Sequence, residues 1–206
     1  ANVRSKMADS ACRLAASQKY SGAGTVEFIL NAKNNLFYFL EMNTRIQVEH
    51  PTTEMISKQD IVYLQLMQAI GEKPENLIDS PPYLSGHSIE CRLYAEKPEK
   101  NFIPSPGHLR LLRFPRQSDT IRIETGYIEG DTITPFYDPM IAKVISFGED
   151  RNCAIQKMLS ALKECQIEGI ATNLTLLKTI LRDPAFKKAR ANTTYLEKNI
   201  ATLTAL

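Results

Sequence analysis

The sequence predicts an α+β fold, and three observations carry that reading. Short strand-like runs come in groups and are followed by helical periodicity, with no βαβ alternation. A stretch between Glu72 and Gly86 collects Pro74, Ser80, Pro81, Pro82 and Ser85, which divides the chain into residues 1–83 and 84–206. Beyond Asp150 the apolar spacing is helical to the end.

Each element has its own signal. Met7, Ala8, Ala11, Leu14, Ala15 and Gln18 predict a helix over Lys6 to Lys19, stopped by Tyr20-Ser21-Gly22-Ala23-Gly24. Thr25 to Leu30 and Leu36 to Met42 read as strands of a hairpin joined through Asn31 to Asn35. Asp60 to Ile70 is an apolar-rich helix with Asp60 as N-cap and Gly71 as its stop. In the second half, His87 to Ala95, Leu109 to Phe114, Thr120 to Glu124 and Ile141 to Phe147 read as strands. Helices follow over Arg151 to Cys165, Asn173 to Leu181 and Tyr195 to Asn199.

Composition excludes several classes. At 206 residues, 43% hydrophobic and 23% charged, the chain is an ordinary globular sequence with material for one large or two small cores. A net charge of +2 makes no case for nucleic acid or a membrane surface, and no apolar run reaches membrane-span length. Cys12, Cys91, Cys153 and Cys165 are scattered with no CxxC, which reads as reduced thiols in a cytoplasmic protein, or a matrix protein if the source is eukaryotic. The first residues, Ala1-Asn2-Val3, include no initiator methionine or signal sequence and read as the start of a segment of something longer.

The chemistry concentrates in EMNTRIQVEHP, Glu41 to Pro51. If extended, this run puts Glu41, Asn43, Arg45, Gln47 and Glu49 on one face and Leu40, Met42, Thr44, Ile46 and Val48 on the other. Folding the hairpin symmetrically about Asn34 sets Glu27 opposite Glu41 on that same side. Two carboxylates directly across a strand pair repel unless a positive group sits between them. Oxygens from Glu27, Glu41 and Asn43 suit Mg²⁺ or Mn²⁺; a different register, with the acids merely solvated, is the alternative. Arg45 can grip a planar anion bidentately, and Glu49 can act as general base on it. His50 reads as structural, and Pro51 ends the strand.

These residues resemble the biotin carboxylases of the ATP-grasp superfamily. The resemblance runs through SGAGTVEF, LFYFLEMNTRIQVEHPTTEM, GHSIECRLYAE, FIPSPG, FYDPMIAKVISFGEDR, GIATN and NTTYLEKN, in order and over nearly the whole chain. RIQVEHP is its most specific part; the bare ExNxR pattern is shared with carbamoyl-phosphate synthetases and other ATP-grasp ligases. The resemblance implies the C-terminal part of an ATP-grasp antiparallel sheet domain in residues 1–83 and a biotin carboxylase C-terminal domain in 84–206.

By the same resemblance, Glu27, Glu41 and Asn43 hold Mg²⁺ on ATP, while Arg45, Gln47 and the Val48 backbone bind bicarbonate. Glu49 deprotonates it, and Arg92 stabilises the enolate of biotin. Read without the family, Arg92 is a surface salt-bridge residue. Asp138, in a segment near the biotin pocket of the family, becomes a candidate partner for Arg92. Lys143 reads as a solvated charge, and His87 and His108 as structural.

The hairpin between Glu27 and Glu41 is slightly longer than in bacterial relatives, an insertion at a turn tip that leaves the metal face alone. No GGGG-type lid and no P-loop occur in the sequence. The resemblance therefore predicts a fragment of a biotin carboxylase that is inactive alone, with ATP, Mg²⁺ or Mn²⁺ and carrier-bound biotin as cofactors. Its implied partners are bicarbonate, a biotin carboxyl carrier, a carboxyltransferase and a second copy in a homodimer. A non-catalytic folding or dimerisation module, and a carbamoyl-phosphate-type ligase, are the competing readings.

Overall fold

A computed structural model describes residues 2–78 and 83–205. Ser80, Pro81 and Pro82 of the sequence-based boundary lie outside the described residues. The chain divides into two compact units, Ala1–Tyr83 and Leu84–Leu206.

In the first unit, α1 (Asn2–Ser17) leads into the hairpin of β1 (Thr25–Asn31) and β2 (Leu36–Asn43). The turn between the strands is built by asparagines. Asn31 Oδ1 accepts from Lys33 N, Asn34 Oδ1 accepts from Leu36 N, and Asn35 takes φ 56°. Asn tolerates that left-handed conformation because its short side chain bonds locally.

Two helices and one short turn of helix complete this unit: α2 (His50–Ser57), α3 (Ile61–Ala69) and α4 (Pro74–Leu77). Asp60 Oδ1 caps α3 by accepting from Tyr63 N at 2.7 Å, the cap that the sequence predicts. The Glu54 carboxylate, on α2, accepts from Ile61 N at 2.6 Å and ties the two helices together. α2 has no counterpart in the sequence reading, which carried the strand to Glu49.

The second unit runs β3 (His87–Tyr94), β4 (Glu96–Lys97), a 3-10 turn (Pro98–Lys100), β5 (Ile103–Pro104), β6 (Gly107–His108), β7 (Leu111–Arg113), β8 (Ile121–Thr125), β9 (Thr132–Ile133) and β10 (Met140–Gly148). Then come α5 (Arg151–Glu164), β11 (Gln166–Glu168), α6 (Leu174–Arg182), α7 (Pro184–Lys187) and α8 (Tyr195–Leu203). The principal sheet is antiparallel in the order β3-β10-β8. The expected turn around Pro104 to Gly107 is instead two short strands, β5 and β6, that pair with β4 and β9.

Among the described residues, the cluster of buried hydrophobic side chains lies in the second unit. Cys91, Leu93, Ala142 and Val144 from the sheet pack with Ala154, Ile155, Met158, Leu159 and Leu162 of α5. Ser146, on the same sheet face, donates from Oγ to Ala154 O at 2.9 Å. Burial pushes the Cys91 thiol up to about 12 and Cys165 up to about 11, so both sit as protonated core residues. In the first unit, Ile29, Tyr38, Phe39 and Leu40 of the hairpin are each more than half exposed.

The helix α5 that covers the sheet is capped by Asp150, whose Oδ1 accepts from Cys153 N at 2.8 Å. Asp150→Ala is expected to cost about 1 kcal/mol of unfolding free energy, the usual worth of an N-cap. The urea midpoint of unfolding reads it directly; an unchanged midpoint would mean the cap is idle.

Candidate functional site

The site is built on the end of the hairpin. Thr25, Val26 and Glu27 pair with Asn43, Met42 and Glu41, so Glu27 lies directly opposite Glu41. The route to that register differs from the symmetric fold about Asn34. Phe28 pairs with Phe39, Ile29 with Tyr38 and Asn31 with Leu36, which leaves Leu40 as the extra residue of a bulge. The bulge sits immediately beside Glu41 and re-aims the strand end at the point where the two acids meet.

Polar side chains converge there. Asn43 Nδ2 donates to Glu27 Oε1 at 2.9 Å and to Glu41 Oε1 at a long 3.5 Å. Gln47 Nε2 reaches the same Glu27 oxygen at 3.4 Å. The two carboxylates thus share amide hydrogens in the space between them, where the positive end of a dipole offsets like-charge repulsion. Among the described residues no three His, Cys, Asp or Glu side chains cluster. The hard oxygen donors are therefore the two carboxylates, joined by the Asn43 amide oxygen once a cation replaces the amide hydrogens and the side chain turns over. That set fits Mg²⁺ or Mn²⁺ and leaves further positions for water and phosphate oxygens.

The strand ends at Asn43, which corrects the extended reading of Arg45 to Glu49. Arg45 to Glu49 form a loop that enters α2, with Glu49 at the N-cap position (φ −84°, ψ 9°) and Pro51 in the first turn. Pro51 therefore ends no strand; it sits in the first turn of the helix, where its missing N–H costs nothing. The loop is pinned by Gln47 O, which lies 2.7 Å from His50 Nδ1 and accepts from His50 N at 3.2 Å. Thr52 Oγ1 adds a bond to Glu49 O at 2.8 Å. His50 is thus a structural residue of the turn.

The turn still brings the expected side chains together. Arg45, Gln47 and Glu49 line one cleft of about 450 Å³ with Thr25, Gly22 and Gly24. Arg45 is exposed and donates from NH1 to Ile46 O at 3.0 Å. Gly24 closes the back of the site: a Cβ there would lie 3.1 Å from the Tyr20 ring and 3.2 Å from Asn43 O. The SGAG run is thus a place where the backbone passes close to the strand that carries Asn43.

Arg92 and Asp138 belong to the second unit. Arg92, on β3, has its Nε 3.6 Å from Glu90 Oε1, a local pair of the kind the residues alone suggest. Asp138 Oδ1 accepts from Met140 N at 2.8 Å, and its charge helps to hold the Glu96 carboxyl above its usual range, after burial as the main cause. The bonds that position Arg92 come from a residue the sequence reading passed over. Asn173 donates from Nδ2 to Arg92 O at 3.1 Å and accepts at Oδ1 from Tyr94 N at 3.0 Å, closing the open edge of β3. Its place at the end of GIATN, just before an apolar helix, is the signal the sequence offers. Lys143 corrects a second expectation: it is 9% exposed and ion-paired with Glu124.

Comparison with known proteins fits both units. Residues 90–198 match the biotin carboxylase C-terminal domain, and residues 1–77 match the ATP-binding domain of the carbamoyl-phosphate synthase L chain. The biotin carboxylase of Allochromatium vinosum is 48% identical over 188 residues, covering 91% of this chain and 40% of that protein. The mitochondrial methylcrotonoyl-CoA carboxylase subunit alpha of Dictyostelium discoideum is 45% identical over 198 residues, covering 94% of this chain and 28% of that protein. The chain therefore spans less than half the length of these relatives.

Among solved structures, the biotin carboxylase domain dimer of Hydrogenobacter thermophilus 2-oxoglutarate carboxylase, bound to MgADP, ADP and bicarbonate, superposes with a TM-score of 0.86. It is 40% identical, over 93% of this chain and 42% of that one. Kluyveromyces lactis urea carboxylase gives 0.88 at 42% identity, over 95% of this chain and 17% of that one. With more than half its residues matching the biotin carboxylase C-terminal domain and residues 1–77 an ATP-binding domain, the chain belongs to the biotin carboxylase family.

Proposed function

We propose that this chain supplies the metal- and bicarbonate-binding part of a biotin carboxylase and the arginine that acts on biotin. The observation that carries the reading is the Glu27–Glu41 pair, bridged by Asn43, with Gln47 on Glu27, beside the cleft of Arg45 and Glu49.

Glu27, Glu41 and Asn43 would hold Mg²⁺ or Mn²⁺, which neutralises charge on the ATP phosphates. Arg45, Gln47 and the Val48 backbone bind bicarbonate, the guanidinium matching its planar O–C–O edge. Glu49 takes the bicarbonate proton, and the freed oxygen attacks the γ-phosphorus with ADP leaving, which yields carboxyphosphate. Its C–O bond then breaks to give CO₂ and phosphate. Arg92 would hold the ureido oxygen of carrier-bound biotin and the phosphate would take the N1 proton; biotin, when bound, would supply the nitrogen that accepts CO₂. Asp138 borders the biotin end of the reaction.

The partners of this reading are a biotin carboxyl carrier and a carboxyltransferase, with a homodimer as the assembly. No helix among the described residues is long and apolar enough to cross a membrane. A cytoplasmic location, or the mitochondrial matrix in a eukaryote, goes with this reading.

Glu41→Gln tests the metal assignment. In the intact polypeptide containing this segment, ATP cleavage should depend on bicarbonate, run slowly without biotin and be accelerated by it. The variant should need about tenfold more Mg²⁺ for half-maximal rate, since one charged ligand becomes neutral. An unchanged Mg²⁺ titration would remove Glu41 from the site. Turnover with ammonia instead of biotin would favour a carbamoyl-phosphate-type ligase.

A further inference from the structure

Lys143 is the residue whose surroundings the reaction above does not use. β10 is the central strand, and Lys143 stands directly between Arg92 on β3 and Glu124 on β8. The three side chains share the sheet face turned away from α5, because directly opposed residues point the same way and their neighbours Cys91, Val144 and Ile123 pack into the core. Arg92 and Lys143 are therefore like charges in adjacent positions, an arrangement that weakens a sheet unless something holds them apart.

Glu124 does the holding. Its Oε2 is ion-paired with Lys143 Nζ, and its Oε1 with Arg122. The Lys143 side chain is only 11% exposed, so the pair with Glu124 is poorly screened by water. Arg92 is 38% exposed and has the 5%-exposed Glu90 side chain beside its Nε. Glu124 lies two strand spacings from Arg92, about 10 Å, a gap that an arginine and a glutamate can span between them. Lys143 fills that gap and keeps Glu124 Oε2 occupied.

We infer that Lys143 is a positioning residue for Arg92: by occupying Glu124 and repelling the guanidinium, it keeps Arg92 from folding across the sheet and turned toward its anionic partner. The inference rests on Arg92 acting on biotin. Lys143 itself touches no reacting atom, and its charge stays within the row Arg92–Lys143–Glu124–Arg122.

The test measures the ratio of biotin carboxylation to biotin-independent, bicarbonate-dependent ATP cleavage in the intact polypeptide. Lys143→Met preserves the stem and removes the charge, and the ratio should fall about tenfold as Arg92 is drawn to Glu124. The double variant Lys143→Met/Glu124→Gln removes the carboxylate that captures Arg92 and should restore most of the ratio. A single variant with an unchanged ratio overturns the inference, as does a double variant no better than the single. Equal losses of both activities in Lys143→Met also overturn it, because they mark general damage. Arg92→Met separates the two levels of the argument. If it leaves the ratio intact, the assignment of Arg92 to biotin fails and the role of Lys143 fails with it; if it collapses the ratio while Lys143→Met does not, only the role of Lys143 fails.

Discussion

Arg45→Ala is expected to lower bicarbonate-dependent turnover of the intact polypeptide about 10²- to 10³-fold, the cost of removing one donor aimed at developing oxyanion charge. The structure predicts almost no cost in stability. Arg45 is exposed, and its side-chain hydrogen bond goes to the carbonyl of the next residue. Neither strand pairing nor the Glu27–Glu41 register depends on it. The thermal midpoint should therefore stay within about 2 °C of the parent. Arg45→Lys should recover only part of the loss, because an ammonium keeps the charge without the planar fork. Steady-state kcat and KM for bicarbonate, measured beside a melting curve, check all three statements. Near-normal turnover in Arg45→Ala would refute its role in the site.

Gly169→Ala is expected to have the largest effect on stability. Gly169 follows β11 at φ 104°, and a Cβ there would lie 2.0 Å from His108 O and 3.1 Å from Arg110 N. Both obstacles are backbone, so no side chain can turn aside. The crossing matters because Arg110 N donates to Glu168 O at 2.9 Å, and Ile167 pairs with the core residue Leu112. Moving the chain to admit a methyl group would break that pairing and carry the positive-φ penalty as well. A loss of about 3–5 kcal/mol is expected. For a chain of this size that is a fall of about 10 °C or more in melting temperature. A shift under 2 °C would mean that β11 and β7 part without consequence.

The hairpin shows where sequence reasoning succeeds and where it stops. Its ends are marked by β-branched and aromatic runs around four Asn-rich turn residues, and Glu27 does face Glu41. The symmetric fold about Asn34 nonetheless misplaces the register from Phe28 to Asn31 by one residue. The bulge at Leu40 absorbs the difference, and nothing in the local sequence distinguishes Leu40 from a regular strand residue. The alternation from Arg45 to Glu49 was misread for a related reason. Polar and apolar residues can alternate in a loop that turns over a cleft, and the strand end at Asn43 with a helix starting at His50 shows that they do so here.

What the amino-acid sequence determined by itself is therefore the chemistry: which acids, amides and guanidinium stand near one another in the chain, and the family they mark. The α+β class also follows from the order of its runs. What only the tertiary structure decided is the environment of individual charges. Lys143 looks solvated in sequence because it is a lone charge in an apolar strand, but a central strand shields what an edge strand exposes. Asn173 reads in sequence only as the start of a helix, until β3 supplies a donor and an acceptor for its amide. Both depend on which strands become neighbours, a long-range contact that local periodicity does not encode.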